Sequence, residues 1–237
     1  MNTDFSTIQK LFEENALQLT QEQYEAFCIY SKFLVEYNQK VNLTAITDPA
    51  EIWKKHFLDS VYPLRYVMLP QKAAIIDVGT GAGFPSVPMA IYRSDLKITM
   101  LDSLQKRILF LEQLAEKTGL NEWTCIHGRA EDVANLPDFR EKYDVAVARA
   151  VAALPVLCEY CMPFVKVGGC FLALKGPNEA GKDAQNAISV LGGVIEDEIR
   201  YNLEDEERKL IVIKKISQTP TNYPRKSNKI KQKPLIS

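Results

Sequence analysis

The residues best placed to do chemistry lie in one short stretch, Ala73 to Pro85, which reads A-A-I-I-D-V-G-T-G-A-G-F-P. Four apolar residues run into Asp77, and Gly79, Gly81 and Gly83 then alternate with Thr80 and Ala82. An apolar run stopped by glycines fits a strand buried on both faces, as in parallel sheets. The glycines allow a sharp turn and let a ligand lie directly against the backbone. Pro85 suits the first turn of a helix, where its missing N–H costs nothing. The stretch predicts strand, glycine turn and helix, the first βα unit of a nucleotide-binding sheet. The dinucleotide fingerprint G-x-G-x-x-G needs glycine at 84 or at 86, and those positions hold Phe84 and Ser86, so it fails in both frames. A carboxylate at 77 suits a ligand end carrying an ammonium beside a sulfonium, since opposite charge stabilises both. It fits poorly against a pyrophosphate.

The pattern D-x-G-x-G-x-G resembles the first motif of class I S-adenosylmethionine-dependent methyltransferases. Further candidates follow from where strands end. Asp102 closes the strand Lys97–Asp102, beside the glycine turn, where its carboxylate accepts from ribose hydroxyls or caps the next helix before Ser103. Ala130 and Glu131 follow a third strand, Trp123–Gly128, and either contact an adenine or cap a helix. The fourth strand, Tyr143–Arg149, ends in Ala148-Arg149-Ala150-Val151. That end has neither the Asn/Asp-Pro-Pro-aromatic clamp of amine methylation nor the Pro-Cys nucleophile of cytosine-carbon methylation. The acceptor is then an atom already nucleophilic, such as guanine N7, whose lone pair needs no general base. Arg149 is the positioning candidate, with a structural ion pair as its other reading. Cys158-x-x-Cys161 sits inside a helix without a second pair or a histidine cluster, so core packing outweighs metal or redox use. His56 and Asp59 form either an acid/base pair or a local i, i+3 hydrogen bond.

The elements that position these residues alternate regularly from residue 73 onward. A helix Leu104–Thr118 closed by Gly119, a helix Leu154–Val165, a strand Gly169–Lys175 and a helix Glu179–Leu191 precede two pairing strands, Ile195–Tyr201 and Lys209–Ile216. Such alternation implies an α/β fold with a mostly parallel seven-stranded sheet and helices on both faces. Upstream, Phe5, Ile8, Leu11 and Phe12 share one helix face. Tyr24, Phe27, Cys28, Ser31, Leu34 and Val35 share another, after a capping box of Thr20 and Gln23. Asp48-Pro49 with Glu51 opens a third helix. The organisation expected is a helical extension over 1–66 packing on the core, a cofactor-binding domain over 67–217 and a basic tail over 218–237.

Composition excludes several classes. A hydrophobic share of 46% with 25% charged residues excludes a disordered chain. No apolar run reaches the ~18 residues of a membrane span, and the N-terminus lacks the pattern of a signal peptide. Five cysteines form no framework, so a cytoplasmic location with reduced thiols is expected. Residues 209–237 hold eight Lys or Arg and no acid, so a net charge of −1 leaves −9 on residues 1–208. Such a basic tail is usually solvated, or contacts phosphates.

Several segments in fixed order carry a closer resemblance: Asn42-Leu43-Thr44-Ala45-Ile46, His56-Phe57-Leu58-Asp59-Ser60, the Asp77–Pro85 turn, Leu101-Asp102-Ser103-Leu104 with Lys106-Arg107, Arg129-Ala130-Glu131, Ala148 to Val151, Leu174-Lys175-Gly176 and Tyr223-Pro224-Arg225-Lys226. Together they resemble the RsmG family, also called GidB, which methylates guanine N7 in a loop of bacterial 16S ribosomal RNA. The resemblance implies a class I, Rossmann-like fold and S-adenosylmethionine as cofactor. It places Gly79, Phe84, Asp102, Ser103, Leu104, Ala130, Glu131 and Arg149 around that cofactor, and Asp77, Gly81 and Gly83 of the glycine motif are cofactor-binding candidates with them. It implies 16S rRNA, a 30S subunit or an assembly intermediate as partner, with no membrane or DNA partner, no metal and a monomeric state. His56, Lys54, Lys55, Lys106, Arg107, Arg149, Lys175, Arg225 and Lys226 are the candidates for RNA contact. N7 faces the major groove, which is too deep and narrow in A-form RNA for side chains, so the target lies in a loop or is turned out of its stack. The family often has glycine where Ser86 stands, and a glycine turn where Ser227-Asn228-Lys229-Ile230 follows Y-P-R-K here. The alternatives are a methyltransferase for transfer RNA or a small metabolite, and a non-catalytic RNA-binding or assembly factor.

Overall fold

A computed structural model describes residues 3–120, 122–149, 152–203 and 206–236; Ala150 and Val151 of the expected A-R-A-V segment lie outside them. Seven strands form one sheet in the order β3-β2-β1-β4-β5-β7-β6. They are β1 (Ala74–Val78), β2 (Lys97–Asp102), β3 (Trp123–His127), β4 (Tyr143–Arg149), β5 (Val165–Lys175), β6 (Gly193–Leu203) and β7 (Glu206–Lys215). β1 to β5 run parallel, whereas β7 is antiparallel to β5 and to β6. β1 pairs with β2 on one side and β4 on the other, so the strand order reverses there. Ligands in such sheets bind beyond the carboxyl ends at that reversal.

Residue alternation divides the interior into two layers, because successive strand side chains face opposite ways. Ile75, Val145, Val147 and Leu172 join the layer under the N-terminal helices, while Ile76, Ala146, Ala148 and Phe171 join the other. The first layer is covered by α1 (Phe5–Glu14), α2 (Gln21–Asn38) and α3 (residues 49–65), with α4 (Ser86–Tyr92) and α5 (Gln105–Thr118) beside them. The second is covered by α6 (Ala130–Val133), α7 (Leu154–Cys161), α8 (Gln185–Val190) and α9 (Ser227–Gln232). Local signals act as expected at several ends. Thr20 and Gln23 form a reciprocal capping box, and Gly119 stops α5 in the left-handed region at φ 68°. Cys158 and Cys161 are fully buried core residues on α7.

α3 is not uniform. It begins as α-helix at Pro49–Glu51, widens to a π-helical stretch over Ile52–Leu58, resumes at Asp59–Val61 and tightens to a 3-10 turn over Tyr62–Arg65. A π-bulge of this kind re-aims side chains and is common at functional sites. Other boundaries depart from the sequence reading. Val165 opens β5 rather than ending a helix, because Pro163 cannot continue the α-helical bonding. The helix expected over 179–191 is a 3-10 turn, Gly181–Ala184, followed by α8, where the Gly181 N–H donates instead to Glu198 at 2.9 Å. Pro85 caps α4 from outside instead of sitting within its first turn.

The basic tail is docked, contrary to the solvated arm expected. Lys215 is buried and pairs with Glu141 at 3.2 Å, Thr219 is buried beside it, and Ile230 has no exposed surface. Arg140 donates to the carbonyls of Thr219 and Tyr223 at 2.8 and 2.9 Å. Short-range charge counting overlooked these partners because all lie far away in sequence.

The helical extension and the sheet share one interior. Phe57 is fully buried with its ring 4.7 Å from Phe27, 5.1 Å from Tyr30 and 5.1 Å from Trp53. Phe57→Ala is expected to lower stability by about 3–5 kcal/mol and to keep a single unfolding transition in urea, because no boundary divides this core. Two separate transitions, only one of them shifted, contradict a shared interior.

Candidate active site

The glycine turn is built for close approach. Gly79, Gly81 and Gly83 all have positive φ. At Gly83, with φ +98°, an added Cβ would lie 2.6 Å from Val87 Cγ2, so this glycine lets α4 pack tightly. Gly81, with φ +62°, has its nearest neighbour 4.0 Å from the position of a Cβ, so the backbone faces the cleft bare. The Tyr30 hydroxyl of α2 donates to the Ala82 carbonyl and fixes the turn from behind.

Three adjoining cavities form one cleft across the strand ends. The first, about 200 Å3, is lined by Gly79, Asp102, Ser103, Ala130 and Glu131. The second, about 420 Å3, shares Gly79, Asp102 and Ser103 with it and adds Gly81, Phe84 and Arg107. The third, about 550 Å3, meets the second at His56 and Arg149 and extends to Tyr201 and Arg208. Asp102 is buried at the junction of the first two. Its Oδ1 accepts from the Leu104 N–H at 2.9 Å, and its Oδ2 accepts from the Gly81 N–H at 3.0 Å and Arg107 Nη1 at 3.1 Å. It thus makes the turn-holding contacts of a cap while lining the cleft.

Arg149, at the end of β4, organises the mouth. Its Nη1 donates to Asp59 Oδ2 at 2.9 Å and to the Lys55 carbonyl at 3.1 Å. Its Nη2 lies 3.2 Å from His56 Nδ1, and its guanidinium stands 4.8 Å from the centroid of the Phe84 ring. His56 stacks on Phe84 at 4.3 Å and meets Thr44 Oγ1 through Nε2 at 2.8 Å. Nδ1 stands 3.2 Å from both Arg149 Nη2, which can only donate, and the Lys55 carbonyl, which can only accept. Burial, with the Arg149 charge second, brings the His56 pKa down to about 4, which agrees with a neutral ring. Within the helix the Asp59 N–H donates to the His56 carbonyl, while the two side chains meet Arg149 and not each other. Asp59 also accepts from the Tyr201 hydroxyl at 3.1 Å and has Arg208 Nε at 3.8 Å.

Other expected residues stand elsewhere. Asp77 is fully buried behind the turn instead of facing the cleft. Its Oδ2 accepts from Ser86 Oγ at 2.6 Å, Thr80 Oγ1 at 2.8 Å and Ser86 N at 3.3 Å, while Oδ1 has no partner among the described residues. Ser86, the departure from the usual glycine, is thus a ligand of this carboxylate. Leu104 starts α5 outside the three cavities and is 42% exposed. Among the RNA candidates, Lys106 and Lys226 are exposed. Lys55 is held by Glu51 and Glu206 at 2.7 and 2.9 Å, and Lys54 lines a separate small cavity beside α1. Lys175 is buried against the Ala152 carbonyl and Glu179, and Arg225 is taken up by Glu159, so neither offers a free cation to phosphate. Sequence reading missed Thr44, Tyr201 and Arg208 as cleft residues. Thr44 stood in a segment already noted, but nothing local marks the other two.

A family model described as GidB, rRNA small subunit methyltransferase G, matches residues 23–211. The chain belongs to that family. Relatives named ribosomal RNA small subunit methyltransferase G include one from Acetivibrio thermocellus, 50% identical over 96% of this chain and 97% of its own. Another, from Clostridium botulinum strain Eklund 17B, is 47% identical over 95% and 96%. Among solved structures, the YcgJ protein from Bacillus subtilis aligns with a TM-score of 0.52 at 12% identity, covering 67% of this chain and 97% of that one. M. jannaschii TYW2 in complex with AdoMet aligns at 0.51 and 14% identity, covering 62% and 69%. These likenesses show the class I, Rossmann-like fold of the GidB-family chain.

The buried Asp77 gives this chain a pH signature. Burial pushes its carboxyl up to about 7, against the hydrogen bonds from Ser86 and Thr80 and the Arg149 charge that pull it down. The folded state therefore keeps a proton that the unfolded state, with a pKa of about 3.9, releases. The stabilisation is full below that lower value and is lost as pH rises through the folded one. Asp77→Asn cannot titrate, so its stability relative to wild type is expected to rise from about pH 5 to about pH 8 in urea unfolding. A difference that does not change with pH contradicts the assignment.

Proposed function

We propose that this chain transfers a methyl group from S-adenosylmethionine to N7 of a guanine in a loop of 16S ribosomal RNA. The observation that supports it most is the continuous cleft from the bare glycine turn and Asp102 to a mouth held by Arg149. The residues present fit the cofactor. Gly81 leaves its backbone open to a ligand, and Asp102 uses three of about four acceptor sites. One of its three donors, Arg107, is a half-exposed side chain that ribose hydroxyls can replace. Gly79, Gly81 and Asp102 would hold the ribose side, with Ala130 and Glu131 toward the adenine. When bound, the cofactor supplies an electrophilic sulfonium methyl.

The protein's own contribution is placement. Among the described residues no cysteine lines the three cavities, and the neutral His56 is already engaged with Thr44 and Arg149. N7 of guanine needs neither a nucleophile nor a base. Alignment alone can lower a barrier by ~7–11 kcal/mol. Arg149 is fixed by Asp59 and the Lys55 carbonyl, so it presents a rigid donor and charge beside the Phe84 and His56 rings. The purine is held there against the turn. The net −9 of residues 1–208 weakens bulk attraction to RNA, which supports a shaped site in a 30S particle or an assembly intermediate as the acceptor.

Labelled methyl transfer to 30S particles, naked 16S RNA and transfer RNA in parallel tests this reading. N7-methylguanine in the 16S fraction is the expected product, and labelling of transfer RNA alone rejects it. Asp102→Ala should weaken S-adenosylmethionine binding by about 1–3 kcal/mol in calorimetric titration; unaltered affinity removes Asp102 from the site.

A further inference from the structure

One wall of the cleft comes from outside the sheet domain. Beside Ala130 and Glu131, the first cavity is lined by Ser227 and Lys231 of α9, together with Tyr160 of α7. α9 is short, and its place is set by anchors on either side of Ser227. Ile230 is buried in the second core layer, and the Tyr160 hydroxyl lies 3.4 Å from Ser227 Oγ. Just upstream, Arg225 encloses the carboxylate of Glu159. Its backbone N–H and Nε both donate to Oε1 at 2.8 Å, and Nη2 donates to Oε2 at 2.6 Å.

Glu159 has no exposed surface and lies on α7, among residues of the second core layer. A carboxylate buried there is tolerated only when a cation and hydrogen bonds meet it. Arg225 meets it with three donors at once, in the forked geometry that makes such pairs directional. This pairing consumes the tail's arginine and fixes the direction in which the chain enters α9. It also explains why the tail is docked rather than solvated.

We infer that residues 218–236 form a strap, anchored by Arg225 on Glu159, whose Ser227 and Lys231 complete the adenine end of the cofactor site. This rests on the cofactor reading given under Proposed function. An adenine edge presents ring nitrogens that accept and an amine that donates. Lys231 supplies a donor, Ser227 both functions, and Glu131 an acceptor from the opposite wall. Arg225 is accordingly a positioning residue for cofactor affinity and not a phosphate ligand. Lys231 touches the ligand itself.

The test uses the full chain and S-adenosylhomocysteine. Calorimetry should show Lys231→Ala binding about three- to tenfold more weakly, the worth of one hydrogen bond. Arg225→Ala should lose at least as much, and Arg225→Lys should recover part of it. Because Arg225→Ala leaves Glu159 unpaired and can unfold the chain, a second readout uses the wild type alone. Tryptic cleavage at the exposed Lys226, Lys229 and Lys231 should slow when S-adenosylhomocysteine is added, as expected for a strap that the ligand holds closed. Wild-type binding with unchanged affinity in Lys231→Ala and unchanged tail cleavage overturns the strap and leaves the cofactor reading standing. No binding by the wild type overturns both.

Discussion

The site depends on one buried ion pair. Arg149 ends the central strand β4, and Asp59 lies on the helix that crosses the sheet's carboxyl edge; their contact is 2.9 Å with both side chains largely buried. Removing one member of such a pair costs about 3–5 kcal/mol, because the other is left as an uncompensated charge. The pair therefore fixes α3 over the glycine turn. Tyr201 of β6 and Arg208 of β7 converge on the same carboxylate, so the two antiparallel strands are tied to it as well. Residues from four elements thus meet around the Arg149–Asp59 pair.

That constraint explains why the N-terminal helices belong to the catalytic unit. Phe84 sits between His56 and Tyr30, at 4.3 and 5.4 Å between ring centroids. The glycine turn is therefore packed against α2 and α3 and not only against its own strand. The same face carries the widened π-helical stretch, which lets His56 and the Lys55 carbonyl both face Arg149.

Some of this was legible in the sequence, for physical reasons that differ by element. The glycine turn, the capping box and the Gly119 stop are encoded within a few residues, so local rules find them. The mostly parallel sheet follows from alternating βα units. Ion pairs such as Arg149–Asp59 and Arg225–Glu159 join residues 90 and 66 positions apart, and spacing says nothing about them. For that reason Arg225 read as a free cation when it is a structural partner; Lys175 read so because its burial against the Ala152 carbonyl and Glu179 is set by the fold. Asp77 read as a direct contact because its chemistry suits a cationic ligand, while its burial behind Thr80 and Ser86 follows from the packing of α4. The fragmented α3 shows the same limit, since tertiary contacts override propensity, whereas the end of α7 is marked locally by Pro163.

The central claim is that the donor lies in the crook between Gly79–Gly81 and Asp102 and faces the Arg149 mouth. A crystal structure with S-adenosylhomocysteine bound tests it most directly. The account predicts the ribose at Asp102, the adenine toward Glu131 and the sulfur toward Arg149. Density for the ligand in any other cavity, with this cleft left filled by solvent, contradicts it.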